Sequence, residues 1–181
     1  YTGYVCNEKI KPHKKVNNNI FVSTGLNKEE GMLVFKEITK IASQFPDYKF
    51  IMPIANRYLK TIKMKTKDNI VMVPFIQNMY KHLSSCSLYI TYGGYNSTME
   101  ILKSGIPAII IPRTVGQKME QFVRCYTLEP FNFFKVISKS EFDKIPSVLK
   151  SCLKSINFPA KNSIDLNGVK KSYDAITKVY S

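Results

Sequence analysis

Two spacings of hydrophobic residues alternate along the chain. Short, nearly continuous apolar runs that end at glycine or proline are typical of buried strands, whereas apolar residues three and four positions apart are typical of one face of a helix. The apolar runs predict strands, the last of them short, at Asn19–Thr24, Tyr48–Met52, Asn69–Val73, Leu88–Tyr92, Ala108–Ile111 and Phe133–Ile137.

Helical spacing fills the intervals between the strands and continues after the last one. Pro146 must lie in the first turn of one of these helices or bend it, because proline lacks the N–H that a helix interior requires. The predicted helices are Lys28–Phe45, Gln77–Ser85, Ser97–Lys103 and Lys118–Leu128, followed by one through Phe142, Ile145, Leu149 and Cys152 and one through Leu166, Val169, Tyr173, Ile176 and Tyr180.

The alternation of strands and helices predicts an α/β fold: a Rossmann-like parallel sheet with helices on both faces, forming one domain over residues 1–181. Ligands of such sheets bind beyond the carboxyl ends of the strands. We therefore expect four loops to gather at one edge of the sheet, namely Thr24-Gly25, Pro74-Phe75-Ile76, Tyr92-Gly93-Gly94 and Pro112-Arg113.

The segment from Ile90 to Arg113 carries the clearest chemical signal. It contains a strand, a double-glycine turn, a polar helix start and a second apolar strand. The first turn of a helix has free backbone N–H groups and the positive end of the helix dipole, so this arrangement predicts a phosphate site and a nucleotide as the first candidate ligand. Gly93 and Gly94 could also simply permit a tight turn, and the two roles are compatible.

Composition narrows the class of protein. The 181 residues are 44% hydrophobic, which indicates a folded domain, and no apolar run approaches the ~20 residues that span a bilayer. There is no signal-peptide pattern, and because the chain begins with Tyr1 we expect it to be a piece of a longer protein. With two histidines and no Cys-x-x-Cys pair, the sequence predicts neither a metal site nor a disulfide framework, and favours a cytoplasmic setting.

The formal net charge of +14 favours anionic partners, which include nucleotides, nucleic acids and acidic membrane surfaces. The excess is nearly all lysine, and readers of bases and phosphates rely on the fork of arginine. Two interpretations therefore stay open: a solvated surface, and a functional basic face. Lys60 to Lys67 is predicted to be a basic loop.

The run from Gly93 to Arg113, together with Met119-Glu120-Gln121-Phe-Val-Arg124, resembles the C-terminal domain of GT-B glycosyltransferases of family 28. That group includes the bacterial transferase that adds GlcNAc to a peptidoglycan lipid intermediate and the catalytic subunit of the dolichol-pathway GlcNAc transferase. The similarity extends to Tyr1–Val5, to Val73–Ile76, which matches the family's nucleotide-base loop, and more weakly to the first glycine loop at Phe21–Gly25. The resemblance implies one half of a GT-B fold that binds a nucleotide-sugar.

The resemblance also implies roles for individual residues. The loop after the third strand would hold uracil through its backbone, the acid in the helix after the double glycine would accept the ribose hydroxyls, and the polar pair in the next helix would contact the transferred sugar. In this sequence those residues are Phe75 and Ile76 for uracil, Glu100 for ribose, Glu120 and Gln121 for the sugar, and Gly93, Gly94, Asn96 and Ser97 for the diphosphate, with Thr24 and Gly25 facing them.

Each of these residues also has a purely structural interpretation. Ser97-x-x-Glu100 matches a capping box, and Asn96 and Ser97 are residue types that cap helices. Arg113 could neutralise phosphate or form a surface ion pair. Gln121 could occupy an exposed helix position, and Phe75 could fill the core. This chain also departs from the peptidoglycan-type enzymes that it resembles, which carry two glutamines at the positions of Glu120-Gln121 and a richer first glycine loop.

The resemblance implies transfer of a hexosyl or N-acetylhexosaminyl group from a UDP-sugar to a hydroxyl acceptor, which can be lipid-linked. No metal or cofactor is expected. The catalytic base is expected in a missing acceptor-binding domain or subunit, so the isolated chain should be inactive. Contact with the cytoplasmic face of a membrane is expected from charge alone. The alternatives are a GT-B-like nucleotide-sugar hydrolase or epimerase, with His82 near the rim, and a lysine-rich nucleic-acid-binding module.

Overall fold

The computed structural model describes residues 2–7, 9–15, 17–23, 29–54, 67–74, 76–113, 119–154 and 164–180. The strands in these ranges are β1 (Asn19–Ser23), β2 (Lys49–Pro53), β3 (Ile70–Val73), β4 (Leu88–Thr91), β5 (Ala108–Ile110) and β6 (Lys135–Val136). The α-helices are α1 (Glu29–Ile41), α2 (Met79–Leu83), α3 (Tyr95–Ser104), α4 (Met119–Leu128), α5 (Ile145–Lys154) and α6 (Gly168–Tyr180). Short 3-10 turns cover Ala42–Gln44, Glu129–Phe131 and Lys139–Lys144.

The strands form a six-stranded sheet in the order β3-β2-β1-β4-β5-β6, and every pairing is parallel. The chain moves outward from β1 to β3 on one side and from β4 to β6 on the other, so the winding reverses between β1 and β4. Such a reversal leaves a crevice beyond the carboxyl ends of the two strands, where open parallel sheets bind their ligands. The loop that follows β4 carries Gly93 and Gly94 and lies at this crevice.

Apolar residues cover both faces of the sheet. Ile20 and Val22 of β1 belong to a cluster with residues of α1 and α5, whereas Phe21 belongs to a second cluster with residues of α2, α3 and α4. Successive side chains of a strand point to opposite faces, which is why the strands are apolar at nearly every position. The predicted Rossmann-like parallel sheet with helices on both faces is confirmed.

The structure changes the predicted start of one helix and shows where Pro53 and Pro146 lie in their elements. The helix after the double glycine begins at Tyr95, two positions before the predicted start at Ser97. Pro53 is the last residue of β2 and pairs only with β3, so its missing N–H removes no bond to β1. Pro146 is the second residue of α5, where proline is tolerated, as predicted.

Residues 2–7 and 9–15 lie along α3. The N–H of Val5 donates to the hydroxyl of Tyr95 at 2.8 Å, at the start of that helix, and the N–H of His13 donates to the carbonyl of Ser104 at 2.6 Å, at its end. The segment therefore runs along the helix from the carboxyl edge of the sheet towards the amino edge. No hydrophobic spacing in the sequence predicts this path.

Helix α6 exposes an apolar face. Val169, Tyr173, Ile176 and Val179 are 47%, 67%, 58% and 77% exposed. The first three lie four and three positions apart, which is the spacing of one side of a helix. No helix in the described part of the chain is long and apolar enough to cross a membrane.

Candidate functional site

The two glycines after β4 have different roles. Gly93 has a φ of +48°, and a Cβ there would meet the Sγ of Cys125 and lie 2.8 Å from the Cγ2 of Ile110. Backbone conformation and packing therefore both require glycine at this position. Gly94 has a φ of −61°, which any residue can adopt, and its Cβ would meet no atom within 4 Å. The turn depends on Gly93, while Gly94 borders open space.

Helix α3 begins beside that open space. Gly94 is the N-cap residue, in an extended conformation, and no side chain caps the helix. The predicted capping box of Ser97 and Glu100 is wrong, and so is the capping role of Asn96 and Ser97, because Gly94 starts the helix earlier and places these residues inside it. The N–H of Gly94 bonds to no described residue. This helix start can therefore accept an anion.

Glu100 is half-buried on α3, one turn beyond the helix start. Its carboxylate forms no hydrogen bond or ion pair within the described ranges, and burial raises its pKa. A half-buried carboxylate without a partner is costly, and hydroxyl groups of a ligand can satisfy it. Glu100 is thus suited to accept hydrogen bonds from a ribose.

Arg124 of α4 connects this helix to the glycine loop. Its side chain is only 10% exposed; one terminal nitrogen pairs with Glu120, and the other donates to the carbonyl of Gly93 at 3.3 Å. The guanidinium also lies over the ring of Tyr95, 5.5 Å from the centroid. The sequence patterns predict no role for Arg124, although its four-residue spacing from Glu120 is a signal for the ion pair.

The two residues predicted to contact a sugar lie in the first turn of α4. Glu120 pairs with Arg124 and its side chain is 75% exposed. Gln121 is not an exposed helix residue: its Oε1 is buried and has no hydrogen-bond partner among the residues that the structure describes. A buried acceptor without a donor is uncommon in folded proteins, and a ligand hydroxyl would satisfy it.

Arg113 stacks on an aromatic ring at the same edge of the sheet. It follows the carboxyl end of β5, and its guanidinium carbon lies 4.3 Å from the ring centroid of Tyr92. On the other side of the crevice, the hydroxyl of Thr91 at the end of β4 donates to the carbonyl of Ser23 at the end of β1, at 3.2 Å. The predicted convergence of loops is thus observed for those after β4 and β5.

Several predicted site residues lie outside the described ranges. These are Thr24, Gly25 and Phe75, and the same holds for residues 60–66 of the predicted basic loop. Ile76 is described; it is half-buried and packs against the cluster of α2, α3 and α4. His82, the histidine of the hydrolase or epimerase alternative, is exposed on α2 and packs against Phe21, with ring centroids 5.7 Å apart.

Comparison with known proteins gives a family match. The glycosyltransferase family 28 C-terminal domain profile matches residues 6–179. A UDP-glucosyltransferase of Bacillus subtilis, YojK, is 29% identical over 140 residues, which cover 77% of this chain and 32% of that protein. The N-acetylglucosamine transferase of Thermosipho melanesiensis that acts on a pyrophosphoryl-undecaprenol substrate is 25% identical over 104 residues, 58% of this chain and 30% of that protein.

Solved structures share the architecture. MurG of Acinetobacter baumannii superposes with a TM-score of 0.71 at 16% identity, covering 92% of this chain and 51% of that one. The spinosyn rhamnosyltransferase SpnG, solved with thymidine diphosphate, gives a TM-score of 0.62 at 16% identity, covering 98% of this chain and 46% of that one. Similarity at this identity shows the fold. The chain spans about a third of the curated relatives and about half of these structures.

Proposed function

The chain belongs to the glycosyltransferase family 28 C-terminal domain family, and on that premise we propose that it is the donor-binding domain of a glycosyltransferase. In this proposal residues 1–181 form a single domain. The enzyme moves a hexosyl or N-acetylhexosaminyl group from a UDP-sugar to a hydroxyl acceptor. The observation that carries the proposal is the start of α3 at Gly94. No described side chain caps this helix start, and it lies beside open space where the winding of the sheet reverses.

The proposed reaction breaks the bond between the anomeric carbon and the diphosphate. The acceptor oxygen forms the new bond to that carbon, its proton passes to a base in the acceptor-binding half, and UDP departs with the bonding electrons. The negative charge that develops on the diphosphate lies at the Gly94 amide and the first turn of α3, where Asn96 and Ser97 also stand. Fixed N–H donors and the helix dipole stabilise such charge without rearranging. This proposal assigns no role to a metal or a cofactor.

The ribose, the transferred sugar and the uracil of the donor are each assigned to further residues. Glu100 accepts hydrogen bonds from the ribose hydroxyls, supported by its half-buried carboxylate, which has no partner in the described part of the chain. Glu120 and Gln121 contact the sugar, supported by the buried and unpartnered Oε1 of Gln121. Arg113 adds positive charge at the same edge. The contacts of Ile76 and Phe75 with uracil, and of Thr24 and Gly25 with the diphosphate, rest on the family resemblance alone.

The other half of the enzyme binds the acceptor, as a second domain or a separate subunit. The match covers 32% of the Bacillus subtilis relative, so a further part that corresponds to much of the remaining two thirds is expected. The apolar face of α6, on which Tyr173 is 67% exposed, is the surface on which we expect this partner to pack. The acceptor half would also supply the base.

Calorimetric titration of the purified chain with UDP, ADP and UMP tests the donor proposal. We expect UDP to bind more tightly than ADP, and Glu100→Ala to weaken UDP about tenfold, the scale of one hydrogen bond to a charged group. UDP-GlcNAc and UDP-glucose should bind without being hydrolysed. Equal binding of ADP and UDP would contradict uracil recognition, and release of free sugar would favour the hydrolase alternative.

We also propose that a basic groove contacts the anionic cytoplasmic face of a membrane. The groove is a cavity of about 500 Å³ between residues 9–11 and α2. It is lined by Lys9, Lys11, Tyr80, Lys81 and Ser84. The charged residues among the described lining residues are all lysines, so this part of the groove has the charge that anionic lipid head groups attract. This surface would bring the donor domain to a lipid-linked acceptor.

Vesicle sedimentation tests the groove. We expect binding to phosphatidylserine vesicles but not to phosphatidylcholine vesicles, and a loss of about 100-fold in the triple variant Lys9→Glu, Lys11→Glu, Lys81→Glu, since each basic residue contributes about 1 kcal/mol near such a surface. The matched control is Lys36→Glu, Lys150→Glu, Lys154→Glu, which changes the net charge equally at other exposed lysines. Equal loss in both variants would show non-specific attraction, and equal binding of single-stranded RNA would favour the nucleic-acid alternative.

A further inference from the structure

In the peptide between Gly93 and Gly94, the carbonyl accepts a hydrogen bond from a side chain, whereas the N–H has no described partner. The terminal Nη2 of Arg124 donates to the Gly93 carbonyl at 3.3 Å, while the N–H of the same peptide, on Gly94, has no partner among the described residues. A trans peptide is planar, so its carbonyl and its N–H point in opposite directions. With the carbonyl turned towards Arg124, the Gly94 N–H points away from α4.

Arg124 is itself fixed in place. Its side chain is 10% exposed, it pairs with Glu120, and it lies over the ring of Tyr95 at 5.5 Å from the centroid. The Tyr95 hydroxyl in turn accepts the N–H of Val5 at 2.8 Å. A guanidinium held at several points keeps its donor aimed at one carbonyl.

We propose that Arg124 is a positioning residue that orients the Gly94 amide towards the donor diphosphate; this inference rests on the proposed donor function. A Gly-Gly peptide has no Cβ on either side to restrict its rotation. Without Arg124 the peptide can turn over, which would aim the Gly93 carbonyl oxygen, a hydrogen-bond acceptor with partial negative charge, at the phosphate. Arg124 thus acts on the diphosphate through the peptide and not by touching it.

Two ligands separate this role from a general effect on the fold. Arg124→Met should weaken UDP binding about tenfold, the scale of one charge-assisted hydrogen bond, and leave uridine binding within about twofold, because uridine has no phosphate. Arg124→Lys, which keeps a cation and a donor, should recover most of the UDP affinity. Lys103→Met removes a positive charge from α3 away from the glycine loop and should leave UDP affinity within about twofold.

A spectroscopic readout reports on the peptide directly. In the ligand-free protein, the amide nitrogen shift of Gly94 depends on hydrogen bonding at the preceding carbonyl, so it should move in Arg124→Met and much less in Arg124→Lys or Lys103→Met. Parallel losses of UDP and uridine affinity, or an unchanged Gly94 shift, would overturn the inference. Absence of UDP binding by the wild-type chain would instead contradict the donor function, and the Gly94 shift distinguishes the two failures.

Discussion

Replacing Gly94 with valine should abolish UDP binding while the chain stays folded. Gly94 has a φ of −61° and a ψ of 155°, which suit valine, and a Cβ there meets no atom within 4 Å, so the substitution should cost little stability. The same open space is where a phosphate would reach the Gly94 amide. A branched side chain there blocks that approach and the hydrogen bonds it allows, each worth about 1.5–3 kcal/mol to a charged group, so the expected loss is about 100-fold or more.

Calorimetry with UDP and thermal denaturation would measure the two effects on the same sample. Gly94→Ala serves as the graded control: a single methyl group should weaken UDP binding less than valine does and leave the melting temperature unchanged. If Gly94→Val binds UDP as the wild type does, the diphosphate lies elsewhere and the glycine pair only turns the chain. The family membership would still hold, whereas the proposed site would not.

The sequence predicts the parts of the fold that depend on local patterns. Strands such as β4 and β5 are continuous apolar runs, and the structure places them within a residue of the predicted ends. The glycine turn also depends on neighbouring residues, since two adjacent glycines between a predicted strand and a predicted helix indicate a tight turn. These features could be predicted because each depends on neighbouring residues in the chain.

The start of α3 and the role of Arg124 could not be predicted in this way. The helix begins at Tyr95 because Gly94 takes an extended conformation, and the preceding Gly93 packs against Ile110 of β5 and Cys125 of α4, which are distant in the sequence. The bond from Arg124 to the Gly93 carbonyl joins residues 31 positions apart. Periodicity indicates that a helix has an apolar face, but for α6 it could not show that this face stays exposed.

Replacing Gly93 with alanine should destabilise the whole fold, the opposite result from the neighbouring glycine. The φ of +48° costs a non-glycine residue about 1–3 kcal/mol. The added Cβ would also press on Ile110 at 2.8 Å and on Cys125, and overpacking of this kind costs about 1–3 kcal/mol. The free energy of unfolding should therefore fall by about 2–6 kcal/mol, measured by urea denaturation.

Cys125→Ala separates the two causes. Burial raises the pKa of the Cys125 thiol to about 11, so this group is uncharged near neutral pH. Its removal therefore changes packing and a weak contact of Sγ with the Gly93 carbonyl at 4.0 Å, but no charge. In the double variant with Gly93→Ala, the methyl group gains the space that Sγ occupied, so the combined loss should be about 1–3 kcal/mol smaller than the sum of the single losses. Strict additivity would mean that the contact with Cys125 does not contribute to the destabilisation. The positive φ and the contact with Ile110 would then account for all of it. A stable Gly93→Ala variant would show that neither the positive φ nor the close packing constrains this turn.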